Sequence, residues 1–444
     1  YRGQETPKEY YKEDFFMKGK KLTALGLAAV MGMSLLAGCS GGSAETGKET
    51  KKTSDGKTEL ELFGTKTENK ETLQKLVDAY NESQDKVTVK LTQPADAGTV
   101  LKTRMTKNDL PDMVAMGGDF NYAELQSAGV LTDLSGEAFL DNINESYINM
   151  LYALNKDQEE KSYGVPYATN SSGIIYNKDI FAENSVEIPT TFSELMEACE
   201  KLEAAGVTPF ELTFKDAWTI LPAWNSMAPV MQPENFYNDK REGKATFEGT
   251  HEAVLENYLK LVEHAQKDYM GTSYDDGNKK FAAGEAAMMM NGSWAITEIK
   301  KANPDVNIDQ FKFPATDDVE KNKVTSGVDV LLGITTNCGD TDSAKDFISF
   351  MVQEENAQLY ADEQFAFSAV KGVEQNDPSV AGVKADIEAG NVVDFPDHYY
   401  PSGFDLSAAL SNFFLEKENG KDDSANIAAT LKKLDTDYDT LNVN

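Results

Sequence analysis

The stretch from Met17 to Cys39, MKGKKLTALGLAAVMGMSLLAGC, fixes the compartment in which everything after it folds. Lys18, Lys20 and Lys21 open it with positive charge. Leu22 to Leu36 form an apolar run broken only by Thr, Gly and Ser, and the small residues Ala37 and Gly38 precede the cysteine. A basic start, a short apolar centre and small residues at the cut are the marks of a secretory signal peptide. The run falls short of the ~20 apolar residues that a membrane-spanning helix needs. Residues 17–38 are therefore expected to be removed, and the rest of the chain to fold outside the cytoplasm. The acidic, Tyr-rich residues 1–16 (YRGQETPKEYYKEDFF) are the wrong flank for such a signal. Lys12-Glu13-Asp14 can be encoded by a ribosome-binding sequence, so translation is expected to start at Met17, with residues 1–16 an upstream extension of the gene model. Peptides from this stretch in the mass spectrum of the precursor would overturn that reading.

Leu36-Ala37-Gly38-Cys39 resembles the lipobox of bacterial lipoproteins. The resemblance implies that Cys39 is diacylated on sulfur and becomes the mature N-terminus; the alternative is a buried free cysteine. Two acyl chains give the stable anchoring that one does not. Ser40 to Lys57 holds no Leu, Ile, Val or aromatic residue, so residues 39–57 read as lipidated cysteine and flexible tether. Such a coil spans about 23 Å root-mean-square. No later apolar stretch reaches spanning length, which leaves the lipid as the expected membrane attachment.

Of 42 basic and 74 acidic residues, 6 and 4 lie before Cys39, leaving 36 against 70 and a net charge of −34 on the mature chain. That field repels phosphate backbones, so nucleic acid is excluded as a partner. Cys199 and Cys338 lie far apart without metal-ligand spacing, and a disulfide between them is left open. Cys199 shares a helical face with Leu195 and Leu202 and reads as a small core residue. His251, His264 and His398 form no zinc pattern. No metal and no cofactor is implied.

The body opens as strand–helix–strand. Leu60–Phe63 is a short apolar strand, Asn69–Tyr80 carries Leu73, Leu76, Val77 and Tyr80 at i, i+3, i+4, i+7, and Val87, Val89 and Leu91 alternate. Pro111–Met116 reads as a buried strand ending in Gly117-Gly118. This alternation predicts an α/β fold with a parallel sheet. Thr191 and Glu194 form a T-x-x-E capping box, with Gly206 as the helix stop. Ser343–Tyr360 reads as one amphipathic helix turning Phe347, Phe350 and Met351 inward, and Met288-Met289-Met290 as buried strand.

Two ordered motifs then carry a resemblance. Gly164 to Phe210 has the order G-x-P, Y-N-K-D, P-x-T-x-x-E-L, L-x-x-x-G, and Phe281 to Ala295 (FAAGEAAMMMNGSWA) has F-x-x-G-x-A-A-M-x-x-x-G-x-W. From about Leu60 to the C-terminus the chain resembles the extracellular solute-binding proteins of sugar-importing ABC transporters, the maltose-binding type. The resemblance implies a two-lobed α/β periplasmic-binding-protein fold with a hinge and an interlobe ligand cleft. Lobe I is expected at residues 58–168 and 299–340, and lobe II at 169–298 and 341–444. It further implies a monomeric, non-enzymatic receptor that captures a carbohydrate, an oligosaccharide in first place, and passes it to the permease subunits. The ATPase is expected elsewhere, since no GxxxxGK[ST] loop is present.

A sugar needs flat aromatics and bidentate hydrogen-bonding groups. Trp294 stands where the family places a stacking tryptophan, and Asp119 corresponds to a family carboxylate, with a helix N-cap as its alternative role. Lys66 and Glu68 follow the first strand and stand equally for cleft contacts or a solvated loop. Asn170 sits at the first crossing, Trp218 is a second candidate aromatic, and Trp224 reads as structural. Asp329 either projects into the cleft or caps a strand, and Tyr400 belongs to a late segment that often supplies an aromatic. The same fold binding a metal, phosphate ester or peptide is one alternative. A surface glycoside hydrolase using paired carboxylates is another, without a catalytic signature to support it.

Overall fold

Strands and helices alternate from the start of the body because its apolar residues change period, from two in the strands to 3.6 in the helices between them. The computed structural model describes residues 50–442 apart from 95 and 402. The signal peptide, Cys39 and residues 1–49 lie outside the described residues. Among those described, no helix is long and apolar enough to cross a membrane.

The first sheet contains β1 (Lys51–Lys52), β2 (Thr58–Gly64), β3 (Val87–Thr92), β4 (Met113–Met116), β5 (Val165–Thr169), and later strands returning from far along the chain. β2 is its organising strand: β3 lies parallel along one edge from Thr58↔Val87 to Phe63↔Thr92, and β4 lies parallel to its far end. Helix Lys70–Ser83 between β2 and β3 buries Leu73, Leu76, Val77 and Tyr80, the four residues of the predicted face.

The second sheet is built from β6 (Ser172–Asn177), β7 (Thr208–Phe210), β8 (Ala286–Gly292), β9 (Ile308–Phe311), β10 (Val324–Thr325) and, from late in the chain, Val392–Val393. The methionine run lies in β8, every residue of which is buried. The chain then returns to the first sheet as β11 (Val328–Ile334), antiparallel to both β4 and β5, and β12 (Phe367–Ser368) closes that edge. Parallel pairing thus holds for the opening units, while both sheets are mixed. Each sheet has its own apolar core, one gathered around Leu62, Val114 and Leu331, the other around Ile174, Phe210 and Phe414. Cys338 sits in the first and Cys199 in the second, both as free thiols.

Helix Phe192–Ala204 begins with the predicted reciprocal cap between Thr191 and Glu194 and ends before Gly206, whose φ of +80° no β-carbon-bearing residue adopts cheaply. Three other expectations are corrected. Residues 51–57 are not tether: β1 pairs antiparallel with β2 (Lys51↔Glu59, Lys52↔Thr58), and Thr50 Oγ1 donates to Gly339 O at 2.6 Å. The edge of β2 before β4 begins offers open backbone partners, and a polar strand satisfies them without apolar side chains. Residues 343–360 are two helices, Thr341–Met351 and Glu354–Gln364, broken at an extended Gln353. Asn356 Nδ2 caps the released Phe350 carbonyl at 2.7 Å, and both pieces keep an apolar face on the first sheet.

The lobe boundaries also move. Helix Trp294–Ala302, β9 and β10 belong to the second sheet's lobe, because β9 and β10 both pair with β6. The two helices of 341–364 belong to the first lobe with β11 and β12, so the second crossing falls at Ser326-Gly327, and the third follows Val370. The first two crossings run side by side as a two-stranded ribbon. Ser172 pairs with Thr325 in one sheet and Thr169 with Val328 in the other, while Asn170 N–H donates to Gly327 O at 3.4 Å between them. Gly327 is required there: a β-carbon would stand 2.5 Å from an Asp394 carboxylate oxygen. The ribbon links the two lobes, and the cleft lies beside it.

Candidate functional site

Residues that follow the carboxyl ends of strands converge where the two sheets face each other. Lys66 leaves the turn after β2, Asp119 the turn after β4 and Asn170 the ribbon after β5; Asp329, the second residue of β11, meets them because β11 runs antiparallel to β4 and β5. Lys66 Nζ contacts both carboxylate oxygens of Asp329, at 2.5 and 2.7 Å, and lies 3.5 Å from Glu68. Asn170 Nδ2 donates to the same Asp329 oxygen at 3.1 Å, and Asn170 Oδ1 accepts from Gly327 N–H at 3.3 Å. Burial alone would push the Lys66 ammonium down, but Asp329 and Glu68 outweigh it and hold the pKa above its ordinary value. Lys66, Glu68, Asn170 and Asp329 thus form one cluster, two carboxylates around a single ammonium.

On one side of this cluster lies a cavity of about 330 Å³ walled by Leu101, Met105, Met116 and Leu125, with Asp119 and His398 at its polar end. Asp119 fills both roles considered for it. Its Oδ1 accepts from Asn121 N–H at 2.8 Å, capping helix Phe120–Ser127, while the same carboxylate lines the cavity. Burial raises the Asp119 pKa, and the charge of His398 opposes that rise.

On the other side the walls are aromatic. Trp294 opens the helix after β8 and folds its ring over Gly292, where a β-carbon would lie 2.1 Å from the indole. Its indole N–H has no partner among the described residues. Trp218, 43% exposed, stands 4.9 Å from Tyr274 at an interplanar angle of 60°. Together with Glu68, Glu298 and Lys301 these rings border about 580 Å³. Between the two compartments a small opening of about 20 Å³ shares Lys66, Asn170 and Asp329 with the first and Glu68 and Trp294 with the second.

Seven of the eight candidates line these compartments; Tyr400 instead borders a separate depression between Phe120 and Phe404. Its ring is 5% exposed and packs against Phe247, Phe404 and Tyr438 in the second lobe's core. The residue of that segment facing the cleft is His398, two positions earlier, which sequence reasoning passed over. The available signal was Asp394 and His398 at i, i+4 in an acidic run: His398 Nδ1 lies 3.0 Å from Asp394 Oδ1. Trp224 is fully buried and stacked on His251 at 14°.

Burial by itself would lower the His398 pKa, but Asp394 first, then Asp397 and Asp119, push it up to about 9. A histidine whose folded pKa is raised adds stability that is complete below the unfolded value near 6.5 and lost as pH rises to about 9. The raised carboxyls of Asp119 and Asp397 act in the same direction in a lower window. Stability measured by urea denaturation should therefore fall between pH 6.5 and 9, and His398→Gln should flatten that limb. An unchanged slope in the variant would show that His398 does not carry the charge.

Of the lysines lining the cleft, Lys66 pairs with Asp329, Lys102 with Glu124 at 3.1 Å and Lys301 with Glu298 at 2.7 Å, while Lys70 makes no ion pair among the described residues. Among the described residues no group of three or more His, Cys, Asp and Glu is placed to hold a metal ion. Chemically the cleft offers flat aromatic faces, carboxylates held by their own hydrogen bonds, and an amide. These are groups for a neutral polyhydroxylated ligand.

A model of the bacterial extracellular solute-binding protein family matches residues 64–358. The multiple sugar-binding protein of Streptococcus mutans is 31% identical over 434 residues, covering 93% of this chain and 99% of that one. The melibiose/raffinose/stachyose-binding protein MelE of Bacillus subtilis is 23% identical over 370 residues, covering 80% and 81%. Among solved structures, SBP RafE in complex with raffinose matches with a TM-score of 0.75 at 25% identity, over 87% of this chain and all of that one. A putative binding protein of Bacillus subtilis in an open conformation matches with a TM-score of 0.74 at 20% identity, over 87% and 98%.

Proposed function

Because the chain belongs to the family of bacterial extracellular solute-binding proteins, we propose that it captures a neutral oligosaccharide between its lobes and delivers it to an ABC permease. The observation that carries this reading is the single cleft in which Trp218, Tyr274 and Trp294 face the Lys66–Asp329–Asn170 cluster. Rings stack on the CH faces of a pyranose, while carboxylate and amide accept and donate to its hydroxyls. The one mostly buried lysine of the cleft, Lys66, is already held by Asp329, so a phosphate ester or free acid would have to break that pair to reach it. Closure about the ribbon at Asn170 and Gly327 would bring both walls onto the ligand, the closed form being selected by contacts it alone makes. The relatives named above, by their names, bind multiple sugars or melibiose, raffinose and stachyose. The lipid at Cys39 would hold a monomeric receptor at the outer face of the membrane, beside its transporter.

A thermal-shift screen against mono- and oligosaccharides, amino acids, phosphate esters and divalent metals tests this. A ligand at 100 times its Kd should stabilise the fold by ~2.7 kcal/mol. A shift with one glycan class, abolished in Trp294→Ala and weakened in Asp119→Asn, is the expected result. A flat response to every sugar beside a shift with a metal or phosphate ester would discard the ligand class.

A further inference from the structure

Gly173 in β6 leaves a lane along which one side chain of β9 runs back toward the ribbon. Gln310 pairs with Ile175, which shares a face of β6 with Gly173. A β-carbon on Gly173 would lie 2.5 Å from Phe311 O and 3.5 Å from Gln310 Nε2. With that space open, the Gln310 amide reaches Ser171, the residue between Asn170 of the ribbon and Ser172 of β6. Ser171 Oγ donates to Gln310 Oε1 at 2.6 Å, and Gln310 Nε2 donates to Ser171 O at 3.3 Å.

Ser171 is also held by Ser293, the residue that follows β8 and precedes Trp294. Ser171 N–H donates to Ser293 Oγ at 3.3 Å, and Ser293 N–H donates to Ser171 O at 2.9 Å. Ser171, Ser293 and Gln310 are all buried, and neither Ser171 nor Gln310 lines any compartment of the cleft. A buried polar network is stable only when all its partners meet in one alignment. Apolar packing of the same volume would tolerate several. The triad therefore fixes how the ends of β6, β8 and β9 lie against one another.

Two of the candidate ligand contacts leave from neighbours of this triad. Asn170 precedes Ser171 and donates to Asp329, and Trp294 follows Ser293 with its ring over Gly292, which pairs with Ser172. The indole N–H has no partner among the described residues, so no hydrogen bond of its own orients the ring. Resting on the reading of Trp294 as a sugar platform, we propose that Gln310 is a positioning residue: through Ser171 and Ser293 it sets the Trp294 ring against Asn170, and with it the ligand affinity, from outside the cleft.

The test reads the ring directly. Trp218→Phe leaves Trp294 as the accessible tryptophan of the full chain, since Trp224 is fully buried. In that background Gln310→Met, which keeps the side-chain length and removes both hydrogen bonds, should raise acrylamide quenching of Trp294 and shift its emission. Ser171→Ala removes only a hydroxyl; it should act in the same direction and carries the test if Gln310→Met does not fold. Asn426→Leu removes another buried hydrogen bond of the same lobe, from Asn426 Nδ2 to Phe413 O at 2.8 Å, and should leave quenching unchanged. With Trp218 retained, calorimetric titration with raffinose should show binding about 5- to 10-fold weaker in Gln310→Met, the size of one misplaced stacking contact. Affinity in Asn426→Leu should match the wild type. Unchanged quenching in the Gln310 and Ser171 variants, or the same rise in Asn426→Leu, would overturn the positioning role. The quenching arm needs no ligand. A wild type that binds neither raffinose nor any other sugar would therefore discard the sugar reading, while quenching alone would still decide whether Gln310 positions the ring.

Discussion

Replacing Asp329 with alanine should destabilise the first lobe by about 3 kcal/mol and abolish ligand binding in the same step. Lys66 Nζ sits against both Asp329 oxygens, and the two side chains are 20% and 15% exposed. Removing one partner from a mostly buried pair costs ~3–5 kcal/mol, because the other charge stays buried without compensation. The value belongs at the lower end here, since Glu68 remains 3.5 Å from the ammonium. Asn170 Nδ2 also loses its acceptor in the ribbon. The double variant Lys66→Met/Asp329→Leu separates stability from function. Apolar residues of similar volume commonly match or exceed a buried pair in stability, so urea denaturation should recover most of the loss. Titration with the sugar found in the thermal screen should still show no binding, because the hydrogen-bonding face is gone. Wild-type affinity in the double variant would mean that the pair is a structural strut and not a ligand contact.

That pair also shows what the sequence made legible. Lys66 and Asp119 each follow a strand whose apolar pattern is plain in the sequence, so the end of the strand could be placed and the next polar residues singled out; Asn170 rests on the family resemblance, and Asp329 stands inside β11. Helix Lys70–Ser83 and the Thr191–Glu194 cap were readable for the same reason: their signals are local, spaced at three and four residues. His398 was only half readable. Asp394 is a local i, i+4 partner, but His398 sits in a 3-10 turn, Pro396–Tyr399, with no periodicity to orient it, and Asp119 joins the pair only in three dimensions. Tyr400 was chosen instead because its residue type suits a sugar, but type does not reveal which way a ring points. The lobe boundary at Gly327 failed for a different reason. Two residues, Ser326 and Gly327, carry the chain between sheets with no shift in composition, and β10 beside them is only Val324–Thr325. The pairing of β10 with β6 is fixed by tertiary contact, which a single strand of two residues does not encode.

Glu211 should limit stability at neutral and higher pH, and Glu211→Gln should relieve it. The side chain is 2% exposed just past β7, with its backbone N–H bonded to Met288 O at 3.0 Å. Burial is the main cause that pushes its pKa up to about 7; Lys280, 3.6 Å away, opposes the rise and Glu285 adds to it. A carboxyl with a raised folded pKa makes the native state bind its proton more tightly than the unfolded chain does. Its contribution is therefore most favourable below the unfolded value near 4.5 and declines as pH rises through about 7. Above that window the decline amounts to about 3 kcal/mol. Glutamine keeps the acceptor that Gln266 Nε2 reaches at 3.2 Å and carries no charge to desolvate. Lys280, 38% exposed, returns to water at little cost. Urea denaturation at pH 8 should then show the variant more stable by 2–3 kcal/mol, an order-of-magnitude figure from the same linkage, with the two proteins nearly equal at pH 5. An equal difference at both pH values would trace the gain to packing, and a less stable variant at pH 8 would show that the Lys280 ion pair outweighs the burial of the charge. Because Glu211 lines none of the cleft compartments, the same substitution should leave sugar affinity unchanged. A change in affinity would place Glu211 in the binding machinery as well as in the stability of the lobe.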